Sequence, residues 1–423
     1  MNPSKMKDGL RLIPYLPEQI PWSTYGYYLS QRPSFTFDPL FHAGVYYVQE
    51  ASSMFLEQVL KQTTDLSKPL RVLDLCAAPG GKSTLLQSLI SDKSLLVSND
   101  VIKSRTAILE ENITKWGAAN VVVTNNDPKD FARLENYFDV IVVDAPCSGS
   151  GLFRRDPDAI SEWSENNVVL CSQRQQRIVA DVWPALKGNG VLIYSTCSYS
   201  KEEDESILDW LYDGFLAKGI SINIDPSWNI IESVSDKHEA PAYRFYPDKI
   251  KGEGFFIAAL RKLDGSEMPM ELGKAKRKQQ EGPTKNEAEL VKPWLLNPEQ
   301  YYLFKQADEI VVLPQMFQAD LIMLQGSLYI KKAGIVAGKL TAKELLPDHA
   351  LALSNLLKEN IVSIPLNREG AIQYLRKEEV QTDTIIKGWA LVNYEGHSLG
   401  WVKLLQNRVN NYYPKAWRIL KSV

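Results

Sequence analysis

The chain has 423 residues, of which 44% are apolar and 23% charged, and its formal net charge is −3. These values are typical of a globular protein and exclude a collagen, a disordered chain and a disulfide-rich scaffold. Four cysteines in so long a chain indicate reduced thiols and a cytoplasmic protein. They form no C-x-x-C pair, so we expect no metal site, and no apolar run is long enough to span a membrane. The length predicts two or three domains.

The charge is distributed unevenly along the chain. Residues 1–260 carry 25 basic and 33 acidic side chains, whereas residues 291–423 carry 16 basic and 12 acidic ones. An acidic body joined to a basic tail is compatible with a nucleic-acid partner, although the net charge alone would argue against one.

From residue 70 to residue 262 the pattern alternates between strand and helix. We predict strands at 71–75, 95–98, 120–125, 138–146, 190–198 and 255–262, and helices at 82–90, 103–116 and 164–187. This alternation predicts an α/β fold whose parallel sheet is covered by helices on both faces. We therefore expect one domain at 70–262, preceded by an N-terminal extension at 1–69. A ligand of such a sheet lies beyond the carboxyl ends of the strands.

The rest of the chain is organised differently. Residues 263–290 have no apolar periodicity and are interpreted as a linker, whose KAKRK run at 274–278 either contacts phosphates or is simply solvated. Residues 291–423 are predicted to form a separate β-rich or α+β module. Its predicted elements are strands at 309–314, 328–338 and 388–396 and a helix at 342–358.

The residues with unusual chemistry follow the predicted strands. The segment LDLCAAPGGKST at 73–84 predicts a nucleotide-binding turn, in which glycines let the backbone approach a ligand closely. It has the spacing neither of a phosphate-binding loop nor of GxGxxG. Asp100 follows the second strand and either accepts the hydroxyls of a ribose or caps a helix. Asp127 follows the third strand and either accepts an adenine amino group or forms an Asn-Asp-Pro turn.

Two cysteines follow the next two strands. Cys147 lies in DAPCSGSG at 144–151 and Cys197 in STCSYS at 195–200, and small polar residues flank both. Cys171 instead shares a helical stripe with apolar residues, so it is interpreted as an inert buried thiol. Cys147 and Cys197 are therefore the candidates for a nucleophile and its helper.

Three motifs, LDLCAAPGGK, DAPCSGSG and STCSYS, follow one another in this order. Together they resemble the NOL1/NOP2/Sun family of RNA (cytosine-5) methyltransferases, and within it the bacterial 16S rRNA methyltransferases of the RsmF type. The likeness extends to residues 45–54, 252–262 and 388–419. It implies a class I (Rossmann-like) S-adenosylmethionine methyltransferase domain, followed by a C-terminal α+β PUA-like RNA-binding module that ends at about 385–423. Family members usually have a longer segment ahead of a stretch like NPSKM. We therefore expect either a shortened N-terminal RNA-binding piece or a truncated form.

The resemblance also implies a role for each site residue. Asp100 would hold the ribose of S-adenosylmethionine, Asp127 its adenine amino group, and Asp144 would lie between cofactor and base. Cys197 would be the nucleophile, and Cys147 would assist product release or proton removal. The residues implied for the methionine part of the cofactor are Cys76, Ala77, Ala78, Pro79, Gly80, Gly81 and Lys82.

The expected partner is 16S rRNA or the small ribosomal subunit. Arg154 and Arg155 would grip phosphates beside the target base, or else form surface ion pairs with nearby aspartates. In the C-terminal module, Lys403, Arg408 and Arg418 lie among aromatic residues, as RNA binding by contact and stacking requires. Two alternatives stay open, namely a tRNA cytosine-5 methyltransferase and a non-catalytic RNA-binding assembly factor.

Overall fold

The computed structural model describes residues 1–6, 18–31, 33–268, 281–381 and 386–421, so the KAKRK run lies outside the described residues. The strands are β1 Glu18–Gln19, β2 Tyr27–Tyr28, β3 Arg71–Asp74, β4 Leu95–Asn99, β5 Val121–Thr124, β6 Phe138–Asp144, β7 Leu186–Thr196, β8 Ala217–Gly219, β9 Ile231–Val234, β10 Pro241–Phe245, β11 Phe255–Lys262, β12 Tyr301–Gln306, β13 Glu309–Pro314, β14 Ile330–Ala333, β15 Ile335–Leu340, β16 Leu345–Pro347, β17 Ser363–Pro365, β18 Gly388–Tyr394, β19 His397–Leu404 and β20 Val409–Asn411. The helices are α1 Pro39–His42, α2 Leu56–Thr63, α3 Gly81–Leu89, α4 Lys103–Trp116, α5 Asp158–Glu162, α6 Glu165–Val182, α7 Glu205–Gly214, α8 Lys285–Val291, α9 Gln318–Ser327, α10 His349–Leu353 and α11 Arg368–Leu375. None of the helices in these ranges combines the length and the apolar character needed to cross a membrane.

A single large sheet organises the middle of the chain. Its strand order is β14-β5-β4-β3-β6-β7-β11-β10-β9, and β8 pairs with β11. The five strands from β5 to β7 are parallel, whereas β11 runs antiparallel to β7. The predicted α/β fold is therefore confirmed. The chain leaves β3 toward β4 on one side and later returns to β6 on the other, which opens a crevice at the carboxyl ends of β3 and β6.

Each face of this sheet has its own apolar core. Alternate strand side chains point to opposite faces, so Leu73 joins one core and Val72 the other. The first core is covered by α6, α7 and α9, and the second by α2, α3 and α4. Burial on both faces explains why these strands appear in the sequence as continuous apolar runs.

Two predicted helices differ from the observed ones, and a proline accounts for each difference. The helix predicted to reach residue 187 ends at Val182, because Pro184 has no N–H to donate, and β7 begins at Leu186. The helix predicted at 342–358 is wrong. Its first part is the strand β16, which ends at Pro347, and α10 begins only after the Asp348 carboxylate accepts the N–H of Ala350.

The C-terminal half is joined to the sheet rather than set apart from it. The run predicted as one strand at 328–338 divides at Gly334, whose φ of 63° permits a sharp turn. Before the turn β14 pairs with β5 of the large sheet, and after it β15 pairs with β13 of a separate four-stranded sheet. Arg71 of β3 also donates to both carboxylate oxygens of Asp320 in α9, at 2.6 and 2.7 Å.

The N-terminal segment packs against the last part of the chain. Leu40 and Val45 lie in one apolar cluster with Ala390 and Val402 of the sheet formed by β17 to β20. The two ends of the chain therefore form one packed unit beside the large sheet.

Candidate active site

Polar side chains of α4 hold the turn between β3 and α3. Gly80 has a φ of 118°, a conformation that favours glycine, and it stands immediately before α3. Arg105 Nη2 donates to the carbonyl of Ala78 at 2.5 Å, and Asn112 Nδ2 donates to that of Pro79 at 2.8 Å. Because both donors lie on α4, the turn is fixed against the next βα unit.

Asp100 follows β4, and only one of its two carboxylate oxygens accepts a hydrogen bond from the residues that the structure describes. Its side chain is buried, and Oδ1 accepts the N–H of Ile102 at 2.8 Å, so the local turn also forms. Within the described residues, Oδ2 has no hydrogen-bond donor, although Arg105 Nη2 lies 3.6 Å away. A buried carboxylate oxygen without a donor is costly, and a ligand hydroxyl would satisfy it.

Asp127 forms the turn that its sequence predicts. It precedes a short 3₁₀ helix at Pro128–Arg133, and its Oδ1 accepts the N–H of Lys129 at 3.2 Å. Arg177 Nη1 of α6 also lies 3.3 Å from this carboxylate. Any role of Asp127 toward an adenine amino group would therefore share the carboxylate with these two donors.

Cys147 and Cys197 come together at the carboxyl edge of the sheet. β6 and β7 are parallel neighbours with Asp144 opposite Ser195, so the loops that follow them leave the sheet side by side. The two Sγ atoms are 3.0 Å apart, and both cysteines are free and partly exposed. The structure thus brings together the two thiols that the sequence singled out.

An ion pair lies on the same edge. Lys82 Nζ of α3 is 2.8 Å from Asp144 Oδ2, and Ser195 Oγ donates to Asp144 Oδ1 at 2.9 Å. Burial lowers the pKa of Lys82, but attraction from Asp144, Asp74 and the Cys197 sulfur outweighs it, so that the pKa is raised. Lys82 therefore stays positively charged at neutral pH, between the β3–α3 turn and the cysteines.

The thiols of Cys147, Cys76 and Cys171 have raised pKa values and stay protonated at neutral pH. The hydrogen bond with Cys197, followed by burial, raises the pKa of Cys147 well above its ordinary value. Cys147 can therefore donate its S–H to the Cys197 sulfur. Burial, with the charges of neighbouring carboxylates, raises the pKa of Cys76, and burial also raises that of Cys171. Neither of these two is suited to act as a nucleophile.

Glu203 connects the two cysteine loops and was not predicted from the sequence. Its buried carboxylate accepts hydrogen bonds from Ser148 N at 2.8 Å and Ser148 Oγ at 2.5 Å, on the Cys147 loop. It also accepts from Ser198 Oγ at 2.7 Å, on the Cys197 loop, and from Gln175 Nε2 at 3.1 Å. The signal was the KEEDE run at 201–205, in which four consecutive acids stand at the start of an amphipathic helix that packs on a core.

We expect Glu203→Ala to lower the free energy of unfolding by about 3 kcal/mol, because it leaves several buried donors unpaired. Glu203→Gln, which keeps an acceptor oxygen, should cost less. Urea denaturation measures both, with Glu202→Ala as the control because Glu202 is exposed. Equal midpoints for Glu203→Ala and Glu202→Ala would show that the carboxylate does not hold the loops.

The residues expected to contact RNA differ in their exposure and in their ion-pair partners within the protein. Arg154, Arg155, Arg408 and Arg418 are exposed. Arg155 lies 3.7 Å from the carboxylate of Glu253, rather than pairing with the aspartates that follow it in sequence. Lys403 Nζ lies 2.7 Å from Glu344 and 5.0 Å from the centre of the Trp389 ring. Among the residues that the structure describes, no group of three or more His, Cys, Asp or Glu side chains could hold a metal ion.

Comparison with protein-family models gives three matches along the chain. Residues 1–51 match the N-terminal domain of 16S rRNA methyltransferase RsmF. Residues 61–261 match the 16S rRNA methyltransferase RsmB/F model, and residues 362–419 match the methyltransferase RsmF PUA domain. The expected methyltransferase domain and the expected PUA-like module are therefore confirmed as parts of the fold.

Individual proteins also resemble the chain. It is 31% identical to the ribosomal RNA small subunit methyltransferase F of Aliivibrio fischeri, over 94% of this chain and 85% of that protein. It is 30% identical to the protein of the same name from Aeromonas salmonicida, over 94% and 84%. The crystal structure of NSun6 from Pyrococcus horikoshii with SFG is 30% identical, over 55% of this chain and 57% of that chain, with a TM-score of 0.47. Since relatives matched over most of their length and all three domain models agree, the chain belongs to the ribosomal RNA small subunit methyltransferase F family.

Proposed function

We propose that this rRNA methyltransferase acts in the cytoplasm on carbon 5 of a cytidine in 16S rRNA, through a transient bond between Cys197 and carbon 6 of the base. The observation that carries the proposal is the pair of thiols 3.0 Å apart beside the Lys82–Asp144 ion pair. Methylation of an exocyclic nitrogen would need no nucleophilic thiol at this place. Methylation of cytosine carbon 5 does need a nucleophilic thiol. It also needs a second group that helps this thiol to leave the base after methyl transfer.

The carboxyl edge of the sheet fits S-adenosylmethionine. When bound, this cofactor supplies an electrophilic methyl group. Residues 76–82 would line its methionine part, and Asp100 would accept the ribose hydroxyls, which the unpaired Oδ2 supports. Asp127 would accept a hydrogen from the adenine amino group. The positive Lys82 favours the methionine carboxylate on this side of the turn.

The first half of the reaction activates the base. Carbon 5 of cytosine is a poor nucleophile, and addition of the Cys197 thiolate to carbon 6 turns it into an enamine-like carbon that can attack the methyl group. Lys82 places positive charge near the thiolate. Asp144 lies at the end of the neighbouring strand, where its carboxyl group would face N3 and stabilise charge that develops on the ring.

The second half releases the product. A base removes the proton from carbon 5, the bond between carbon 6 and Sγ breaks, and its electron pair returns to Cys197 as a thiolate. Cys147 keeps its proton because its pKa is raised, so it can donate a hydrogen bond to the departing sulfur 3.0 Å away. We assign the release step to Cys147 on this ground.

The RNA must present an unstacked base to reach the thiols. The exposed Arg154 and Arg155, which follow the Cys147 loop, would bind phosphates beside it. Arg408, Arg418 and Lys403 would contact more distant phosphates from the C-terminal module. Lys403 would have to exchange Glu344 for a phosphate in order to do so.

The test is incubation of the protein with methyl-labelled cofactor and, separately, naked 16S rRNA, small ribosomal subunits and tRNA. Mass spectrometry of the digested nucleosides identifies the product. We expect 5-methylcytidine in 16S rRNA or in the subunits. Product in tRNA alone would favour the tRNA enzyme, and no product in any RNA would favour a non-catalytic assembly factor.

A further inference from the structure

A cavity of about 280 Å³ lies between the N-terminal segment and the methyltransferase domain. None of the residues assigned above to the cofactor or to the two thiols lines it. Its volume is close to the lower end of the range for ligand pockets, about 300 Å³, so it suits a single planar ring system. The tyrosines and basic residues of its wall are Tyr25, Tyr27, Tyr28, Tyr46, Tyr47, Arg154 and Lys251.

The cavity adjoins the β3–α3 turn. A Cβ atom added at Gly81, the first residue of α3, would lie 2.8 Å from Gln49 Oε1 and 3.1 Å from the ring of Tyr47. Gln49 and Tyr47 both line the cavity. A group bound in the cavity would therefore be separated from the turn by the thickness of one side chain.

The cavity also adjoins the cysteine loops. Gly151 N donates to the carbonyl of Cys197 at 2.7 Å, and Arg154, which lines the cavity, is only three residues further along. Three residues span at most about 11 Å. Gly252 and Glu253 also line the cavity, and the next residue, Gly254, packs against Tyr199, two residues after Cys197. Both loops that surround the nucleophile thus continue into the cavity wall.

The chemistry of the wall suits an RNA base. Lys251 Nζ lies 5.5 Å from the centre of the Tyr28 ring and 2.5 Å from the Glu18 carboxylate, so an aromatic ring and a cation whose charge is balanced by an acid lie together there. Burial raises the pKa of Tyr47 to about 12, so this phenol stays uncharged beside a phosphate backbone. The Glu50 carboxylate in the wall accepts backbone N–H groups, including that of Ser52 at 2.9 Å, which offsets its charge.

We propose that this cavity binds an unpaired nucleobase that flanks the target cytidine in the substrate RNA. The assignment rests on the proposed function. When the target base leaves its stack to reach Cys197, its neighbour loses a stacking partner, and a tyrosine ring supplies a replacement that tolerates any base. Binding in the cavity thereby stabilises the RNA conformation in which the target base is unstacked and lies beside Cys197.

The test compares Tyr28→Leu with Tyr28→Phe on the RNA that the wild type methylates. Loss of the aromatic ring should lower kcat/KM by about 10-fold, mainly through KM, whereas phenylalanine keeps the ring and should stay near the wild-type value. The affinity for S-adenosylmethionine should be unchanged in both variants. Tyr302→Leu is the control, because Tyr302 is a partly buried tyrosine of β12 that does not line this cavity.

A second measurement does not depend on the kinetics. Tyr28→p-azidophenylalanine, irradiated with the substrate RNA, should crosslink within one or two nucleotides of the methylated cytidine. A crosslink elsewhere, equal kcat/KM for the leucine and phenylalanine variants, or a weakened affinity for the cofactor would each overturn the assignment. If the wild type makes no 5-methylcytidine, the proposed function fails first, so the two failures are distinguishable.

Discussion

Cys197→Ala is expected to reduce methyl transfer by at least ~10³-fold, with no change in the affinity for S-adenosylmethionine. Without the thiolate, carbon 5 of the base is not activated. Burial raises the pKa of Cys76, and burial and the charge of Glu203 still raise that of Cys147 after the hydrogen bond with Cys197 is lost, so neither thiol replaces Cys197. Cofactor binding is separate, since the turn at 75–80 is held by Arg105 and Asn112 of α4. Transfer of labelled methyl to 16S rRNA and calorimetric titration of the cofactor measure the two effects.

Cys171→Ala is the matched control for this variant. Cys171 is buried in α6 and burial raises its pKa, so its thiol is unsuited to attack the base, and removing its sulfur should leave methyl transfer near the wild-type rate. If Cys197→Ala retains the activity of Cys171→Ala, the covalent route is excluded. If Cys197→Ala loses the cofactor together with the activity, its effect lies in the fold rather than in the chemistry.

The sequence predicted most of the central sheet correctly because buried parallel strands have a strong pattern. The helix predicted at 103–116 coincides with α4, and the strand predicted at 255–262 coincides with β11. Parallel order also places the carboxyl ends of β6 and β7 together, so the proximity of Cys147 and Cys197 followed from topology alone.

The sequence could not predict contacts that depend on how distant segments pack. Arg71 and Asp320 are 249 residues apart, yet their ion pair joins β3 to α9. The entry of β14 into the large sheet likewise follows from the path of the chain and not from the composition of residues 330–333. Glu203 was missed for a related reason. It becomes a buried acceptor only when both cysteine loops fold over it.

Cys147→Ala is expected to trap the RNA on the protein instead of preventing attack. Cys197 would still add to carbon 6, and carbon 5 of the base would then accept the methyl group. The departing sulfur would then lack the hydrogen bond from the thiol 3.0 Å away, so turnover should fall ~10²-fold or more while one methyl group per protein is still transferred. A denaturing gel should show a protein–RNA adduct for this variant, and the double variant Cys147→Ala with Cys197→Ala should show none. An adduct that persists without Cys197 would place the covalent bond on another residue. Wild-type turnover in Cys147→Ala without an adduct would remove Cys147 from the release step and leave its contact with Cys197 a matter of packing alone.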